Sequence, residues 1–492
     1  MVMESITQRS ILGKIFFLLS IIILGVMIFS PFDNIILQID EFFTIGLLNF
    51  PISDIITITG NDVHPPLYYL ICKFVLKVLN VLNLNYNLIQ VLRLISIIPY
   101  FLVLVISYTK FKEEYGWFTV GLFPFVLVLM SEFFFYFLTI RMYSWGLLFI
   151  LLVFIYFKEF IKNFDKKSLC LLTVFSVLGA YTHYFVAISI LFIYISLFIY
   201  LFYNNKDEIK NFFVAVVAAI ILYSPWLVVL FGQLKNVHDS YWIPEIDFNL
   251  VINCFAYYGP YIQDIAFQYL LIIILIFFIM IFIYQSNDYI QIDKWLIVSG
   301  FTVFIGTIVL GVVLSLVFKP ILIARYLMPS ASILWLVVVI LISKLKNDKL
   351  FFISLILIIL LCISGVSSIF STTEGVISHF NEYDKVLDEI NSDNGSVVIF
   401  SNAVSMNHFR YFLNDSDLNI GKFNEYLGID SDRYHQAYKF NELSKKEIDD
   451  VLDNHPEHNI YLIEAYGKLD ISDQYRENPI LTDGKINFYK VN

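Results

Sequence analysis

"PLYYLICKFVLKVLNVL", residues 66–82, is apolar enough to cross a bilayer yet carries Lys73 and Lys77 inside it. Whether it crosses decides the topology of everything after it. Eleven other apolar runs are clearer: residues 14–30, 90–109, 117–138, 141–157, 168–183, 185–203, 211–231, 266–284, 294–318, 323–343 and 350–370. Each is close to the roughly 17–25 residues that a spanning helix needs. Between them lie the lysine-rich connections "KFKEE" (110–114), "KEFIKNFDKK" (158–167), "NNKDEIK" (204–210) and "KLKNDK" (344–349). Connections after residues 30, 138, 183, 231, 318 and 370 carry few positive charges. Short cytoplasmic loops collect Lys and Arg. If 66–82 lies along the surface, every basic loop shares the side of Arg9 and Lys14; if it spans, the rule fails. The sequence therefore predicts eleven spans, a cytoplasmic N-terminus and an interfacial helix over 66–82, with Lys73 and Lys77 snorkelling together.

The rest of the composition agrees. Of 492 residues, 59% are hydrophobic and only 15% charged, which excludes an ordinary soluble domain. The first run, Ile15 to Phe29, is followed by no small-residue cleavage site and reads as a retained helix. Cys72, Cys170, Cys254 and Cys362 are dispersed, with no C-x-x-C pair, so neither a disulfide framework nor a thiolate metal site is expected. The net charge of −10 is uneven: residues 1–372 hold 21 Lys and Arg against 20 Asp and Glu, residues 373–492 hold 11 against 22. That shift marks a domain boundary. The reading is a transmembrane domain over 1–372, whose first external loop is 31–89, and an acidic external domain over 373–492. In the tail, "SVVIF" (396–400), "NIYLIEA" (459–465) and "KINFYKV" (485–491) read as strands. "HFNEYDKVLDEI" (379–390) and "SKKEIDDVLD" (444–453) read as helices, making a small α/β fold. "NGS" (394–396) and "NDS" (414–416) are glycosylation sequons. No phosphate-binding glycine loop, zinc-protease motif or nucleophile elbow occurs, and nothing points to ATP or to a nucleic-acid partner.

Chemistry-bearing residues gather at the predicted external connections. Asp40 and Glu41 follow the first span. An acid pair there is either a solvated helix boundary or a base with a partner that orients a hydroxyl or holds a cation. His64 opens "HPPLYY", in the same loop; Pro65 disfavours a helical conformation at His64, so a helix starts at Pro65 or Pro66. Arg141, between "FFFYFLTI" and "MYSWGLLF", and Arg325, in "ILIARYLMP", sit between apolar runs and oppose the positive-inside trend. They point to an anion such as a lipid phosphate; the bland alternative is snorkelling, or a pairing with Asp40 or Glu41. Arg93 starts the second span on that side, and His183 lies at a turn in "YTHYF". Tyr68, Tyr143 and Tyr326, beside these residues, are candidate lining groups.

Taken in order, "DE" after the first span, "HPPLYYL", the arginine of the second span, "TIRMYSWGLL", "YTHYF", "YSPWLVVL" and "ARYLMPS" resemble the GT-C membrane glycosyltransferases. The nearest groups are the protein O-mannosyltransferases and the lipid A aminoarabinose transferases, and the resemblance covers about residues 14–345. It implies a hexosyl or pentosyl transferase that takes a sugar from a polyprenyl-phosphate carrier and passes it, with inversion, to an acceptor hydroxyl of a protein, glycan or lipid. The active site would face outward from the cell membrane. Asp40 matches the family's acid at the end of the first span, the proposed base, and Glu41 its neighbour. His64 falls where the aminoarabinose transferases carry a phosphate-contacting lysine. Arg141 and Arg325 match arginines that neutralise that phosphate. No cofactor is required; a divalent cation is optional, with Asp40 and Glu41 its only candidate ligands. The acidic tail departs from the tails of both groups. A transporter or flippase of lipid-linked sugars is the alternative. It calls for charged or broken helices at mid-membrane and internal repeats, which the sequence lacks.

Overall fold

The computed structural model describes residues 2–29, 39–236, 243, 245–256, 265–285, 287, 289–392, 397–400, 459–465, 473–477, 479–482 and 486–491. Two compact units emerge, one formed by Met1–Ser30 with Val63–Phe370 and the other by Pro31–Asp62 with Ser371–Asn492.

The first unit is a helical bundle: α1 (Val2–Phe29), α4 (Leu67–Val81), α5 (Leu88–Ile106), α6 (Lys112–Leu129), α7 (Ser131–Leu138), α8 (Tyr143–Asn163), α9 (Lys166–Ala180), α10 (Tyr184–Asn204), α11 (Ile209–Asn236), α12 (Phe248–Ala256), α13 (Ile265–Gln285), α14 (Gln291–Val317), α15 (Met328–Ser343) and the first half of α16 (Asp348–Ser392). Among the described residues, nine helical segments are long and apolar enough to cross a membrane. One of them, Leu88–Leu129, is a hairpin. Gly116 takes φ 74°, a left-handed conformation that suits glycine, and breaks the helix. The Tyr100 hydroxyl then reaches the Pro124 carbonyl at 3.3 Å, and the Phe111 and Phe123 rings lie 6.1 Å apart. Twenty-four residues of straight helix would instead separate Tyr100 and Pro124 by about 36 Å. Helix α9, only 15 residues long, returns the chain from the end of α8 to the start of α10. With the hairpin counted as two helices and α9 as one, the described helices correspond to the eleven apolar runs of the sequence.

Residues 67–81 add none. The first amide of α4, Leu67, donates to Tyr181 at one end of the bundle, and Tyr68 on its first turn meets Ser96 of α5. Since α5 runs from that end towards Phe111 at the other, α4 leaves and returns on one side.

Burial follows composition. Helix α15 is apolar all round and buried from Met328 to Ile342, whereas α11 and α13 expose Val217, Ile221, Ile273 and Ile283 as lipid-facing helices do. Helices α1 and α6 touch backbone to backbone: a Cβ on Gly121 would lie 1.8 Å from the Gly13 carbonyl oxygen.

The basic connections gather at the end away from His64. Arg9 donates to the Leu345 carbonyl at 2.8 Å and pairs with Asp348 at 2.9 Å. Lys344 pairs with Asp293 at 3.1 Å, and the Tyr115 hydroxyl donates to the same carboxylate at 3.2 Å. Lys158 pairs with Glu114, joined by Lys162 at 3.8 Å.

The second unit holds α2 (Ile39–Leu47), α3 (Ile52–Asn61), the second half of α16 and a four-stranded sheet of order β1-β2-β4-β3. Strands β1 (Val397–Phe400) and β2 (Ile460–Ala465) are parallel; β4 (Ile486–Lys490) is antiparallel to β2 and to β3 (Pro479–Thr482). Tyr383, Val386, Leu387 and Ile390 of α16 pack on Val398, Tyr461, Ile463, Ile486 and Phe488. Three strands stand within a residue of their predicted positions. Strand β3 is additional: it is short, opens on a proline and lies at the sheet edge, where a missing amide is tolerated. The predicted helix over 444–453 and both sequons lie outside the described residues.

Candidate active site

Four breaks between helices meet at one end of the first unit. The first is His64, held out of the helix by Pro65 and followed by the α4 start, with Pro66 as N-cap. The second is the turn Thr139–Met142. Helix α7 ends as Thr139 turns extended, the Arg141 amide donates to the Thr139 carbonyl at 2.7 Å, and α8 begins at Tyr143. The third is His183, the N-cap of α10, whose Nδ1 accepts the Phe185 amide at 3.1 Å. The fourth is the 3₁₀ turn Ala324–Leu327, which carries Arg325 and Tyr326.

These breaks form one cluster. The His64 and His183 rings are 5.6 Å apart, and Tyr326 lies 4.6 Å from His183 and 6.4 Å from His64. Tyr143 packs 5.8 Å from His183 and 6.4 Å from Tyr326. Arg141, 2% exposed, donates through Nη1 to the Tyr69 hydroxyl at 3.0 Å, and its Nη2 stands 3.5 Å from His64 Nδ1, at the outer limit of a hydrogen bond. The half-buried Arg325 sets its guanidinium 5.7 Å from the Tyr326 ring. Burial, reinforced by the charges of His64, Arg141 and Arg325, holds the His183 imidazole well below its ordinary range, so it is neutral near pH 7. Two guanidiniums in a setting of imidazoles and phenols suit an anion with several oxygens, which Arg binds through a planar fork.

His64, Arg141, Arg325, Tyr143, His183 and Tyr326 thus come together from distant parts of the chain. Tyr68 points elsewhere: its hydroxyl meets Ser96 at 2.8 Å, and its neighbour Tyr69 takes the place at Arg141. Consecutive helical residues lie about 100° apart, so only one tyrosine of the doublet faces the arginine. Tyr69 is the residue the sequence reading missed, and the doublet itself was its only signal. Arg93 is buried on α5, three residues before Ser96. Asp40 and Glu41 belong to the second unit, in the first turn of α2. There Glu41 is buried, Asp40 is half-buried, and Thr44 donates to the Asp40 carbonyl.

ArnT from Cupriavidus metallidurans, a lipid A aminoarabinose transferase, superposes on this chain in the apo state with a TM-score of 0.58. Identity is 9%, and 96% of this chain and 97% of ArnT are covered. The ArnT structure bound to undecaprenyl phosphate gives a TM-score of 0.57 at 10% identity, covering 96% and 98%. The fold is GT-C. No family profile matches the sequence, and no curated protein does.

Proposed function

We propose that this GT-C protein is a membrane glycosyltransferase that moves a hexose or pentose from a polyprenyl-phosphate carrier to an acceptor hydroxyl on the outer face of the cell membrane. The observation that carries the reading is the convergence of Arg141, Arg325, His64 and Tyr69 at the end of the bundle opposite the paired lysines. By the positive-inside rule the lysine end is cytoplasmic and the arginine end external. That a protein of the same fold binds undecaprenyl phosphate supports the choice of carrier.

In this reading Arg141 and Arg325 bind the carrier phosphate, with Tyr69 and His64 orienting Arg141. The acceptor oxygen attacks the anomeric carbon while the carbon–oxygen bond to phosphate breaks. The phosphate keeps the electron pair, and the hydroxyl proton passes to Asp40, with Glu41 beside it on α2. One displacement inverts the anomeric centre. A divalent cation is optional, since the guanidiniums already neutralise the leaving group.

Purified protein incubated with a panel of polyprenyl-phosphate sugars is expected to release polyprenyl phosphate with at least one of them. Asp40→Asn should abolish that release while leaving expression and membrane insertion intact. Normal transfer by Asp40→Asn removes the base assignment. Uptake of lipid-linked sugar into sealed vesicles without product would replace the transferase by a flippase.

A further inference from the structure

His183 is held by its backbone in a way that restricts its chemistry. Its Nδ1 accepts the Phe185 amide at 3.1 Å. A backbone N–H only donates, so Nδ1 carries no hydrogen, and the one N–H of the neutral ring is on Nε2. That nitrogen has no hydrogen-bond partner among the described residues, although His183 is only 4% exposed and its ring sits among Tyr326, His64 and Tyr143. Neither nitrogen is open to a proton: Nδ1 is occupied by the amide, and Nε2 is already protonated.

We propose that His183 is a fixed, uncharged donor whose Nε2–H binds an oxygen of the carrier phosphate, and that it takes no part in proton transfer. The inference rests on the reading of the cluster as a polyprenyl-phosphate site. Its chemical sense lies in product release. Arg141 and Arg325 already supply two permanent charges, and a third cation would tighten the hold on the polyprenyl phosphate that must leave after transfer. A neutral N–H adds a directed hydrogen bond without that cost. Of the two histidines of the cluster, His183 is therefore a binding residue and not the general base that a histidine in such a place suggests.

The test uses full-length protein labelled with ¹⁵N-histidine in detergent micelles, the His183 signal being assigned by its loss in His183→Asn. Asparagine keeps an oxygen that caps α10, so the variant separates loss of the donor from loss of the cap. If it does not fold, His183→Ser, also a good cap, replaces it. The signal is expected to keep a bare Nδ1 and a protonated Nε2 from about pH 8 to about pH 5. The Nε2–H resonance should move when undecaprenyl phosphate is added, and the variant should bind that lipid about tenfold more weakly, the equivalent of about 1.4 kcal/mol. Uptake of a second proton within that range overturns the proposal. So does undecaprenyl phosphate binding that leaves the resonance unmoved. If wild type and variant alike fail to bind the lipid, the carrier reading falls and the phosphate role with it, while the tautomer readout still reports whether the ring is locked.

Discussion

The two ends of the helical bundle use charge in different ways. At the lysine end, the charges sit on helices or at their ends and match across the bundle: Lys158 with Glu114, Lys344 with Asp293 and Tyr115, Arg9 with Asp348. At the arginine end, His64, Arg141, His183 and Tyr326 all come from breaks between helices, and the groups that meet are rings and guanidiniums. Helix ends clamped by opposite charges make a lock. Breaks held rigid by the helices around them make a place where side chains converge on a ligand. Both ends bury charge, one in ion pairs between helices and the other among rings at helix breaks.

The largest expected effect tests this division at Arg141. Arg141→Lys keeps the charge but loses the fork, and should lower sugar transfer about 100-fold, roughly 2.7 kcal/mol of transition-state stabilisation, as loss of an oxyanion donor does. Thermal unfolding in detergent should change little; a large fall in stability with transfer unaffected would make Arg141 part of a second lock. Next comes the lysine end. Asp293→Asn deprives Lys344 of its counter-charge and should cost about 1–3 kcal/mol of stability, discounted towards the low end because Lys344 is partly exposed. Its folded fraction should transfer sugar at the wild-type rate, and a rate defect would show that the lock reaches the chemistry.

The tyrosine doublet gives a smaller and sharper contrast. Tyr69→Phe and Tyr68→Phe each remove one hydroxyl worth about 1 kcal/mol. The first should appear as a fall in transfer of roughly fivefold, the second only in the unfolding midpoint, because one hydroxyl meets Arg141 and the other Ser96. Equal effects on transfer would erase the distinction. The smallest effect concerns pH. The folded pKa of His183 is depressed, so the unfolded chain takes up its proton first as pH falls. Stability from this residue is complete above about pH 6.5 and declines below it. Wild type should therefore lose its stability advantage over His183→Asn on acidification, as melting curves at several pH values will record.

Much of this was legible in advance because it depends on local composition. Apolar runs separated by lysines made the crossings countable, and the lysines of 66–82 marked α4 as a segment that does not cross. Other features were hidden because they depend on angle and on partners. The reversal between residues 90–109 and 117–138 was expected, but not that the helix would run on to Gly116, whose left-handed φ makes the break. Residues 117–138, read as one run, divide at Met130 into α6 and α7, a change in one ψ angle that hydrophobicity does not register.

Sequence alone determined that this chain is a membrane protein with an acidic α/β tail, and that His64, Arg141, His183 and Arg325 lie in the connections away from the lysine-rich loops. Those conclusions follow from transfer free energies and from where proline and charge are tolerated, both of which are properties of short segments. Only the tertiary structure decided that His64, Arg141, His183 and Tyr326 form one cluster, that Tyr69 and not Tyr68 reaches the arginine, and that the His183 proton is pinned to Nε2. Each of these depends on which atoms of distant segments come within a few ångströms, and that is set by packing the whole bundle at once.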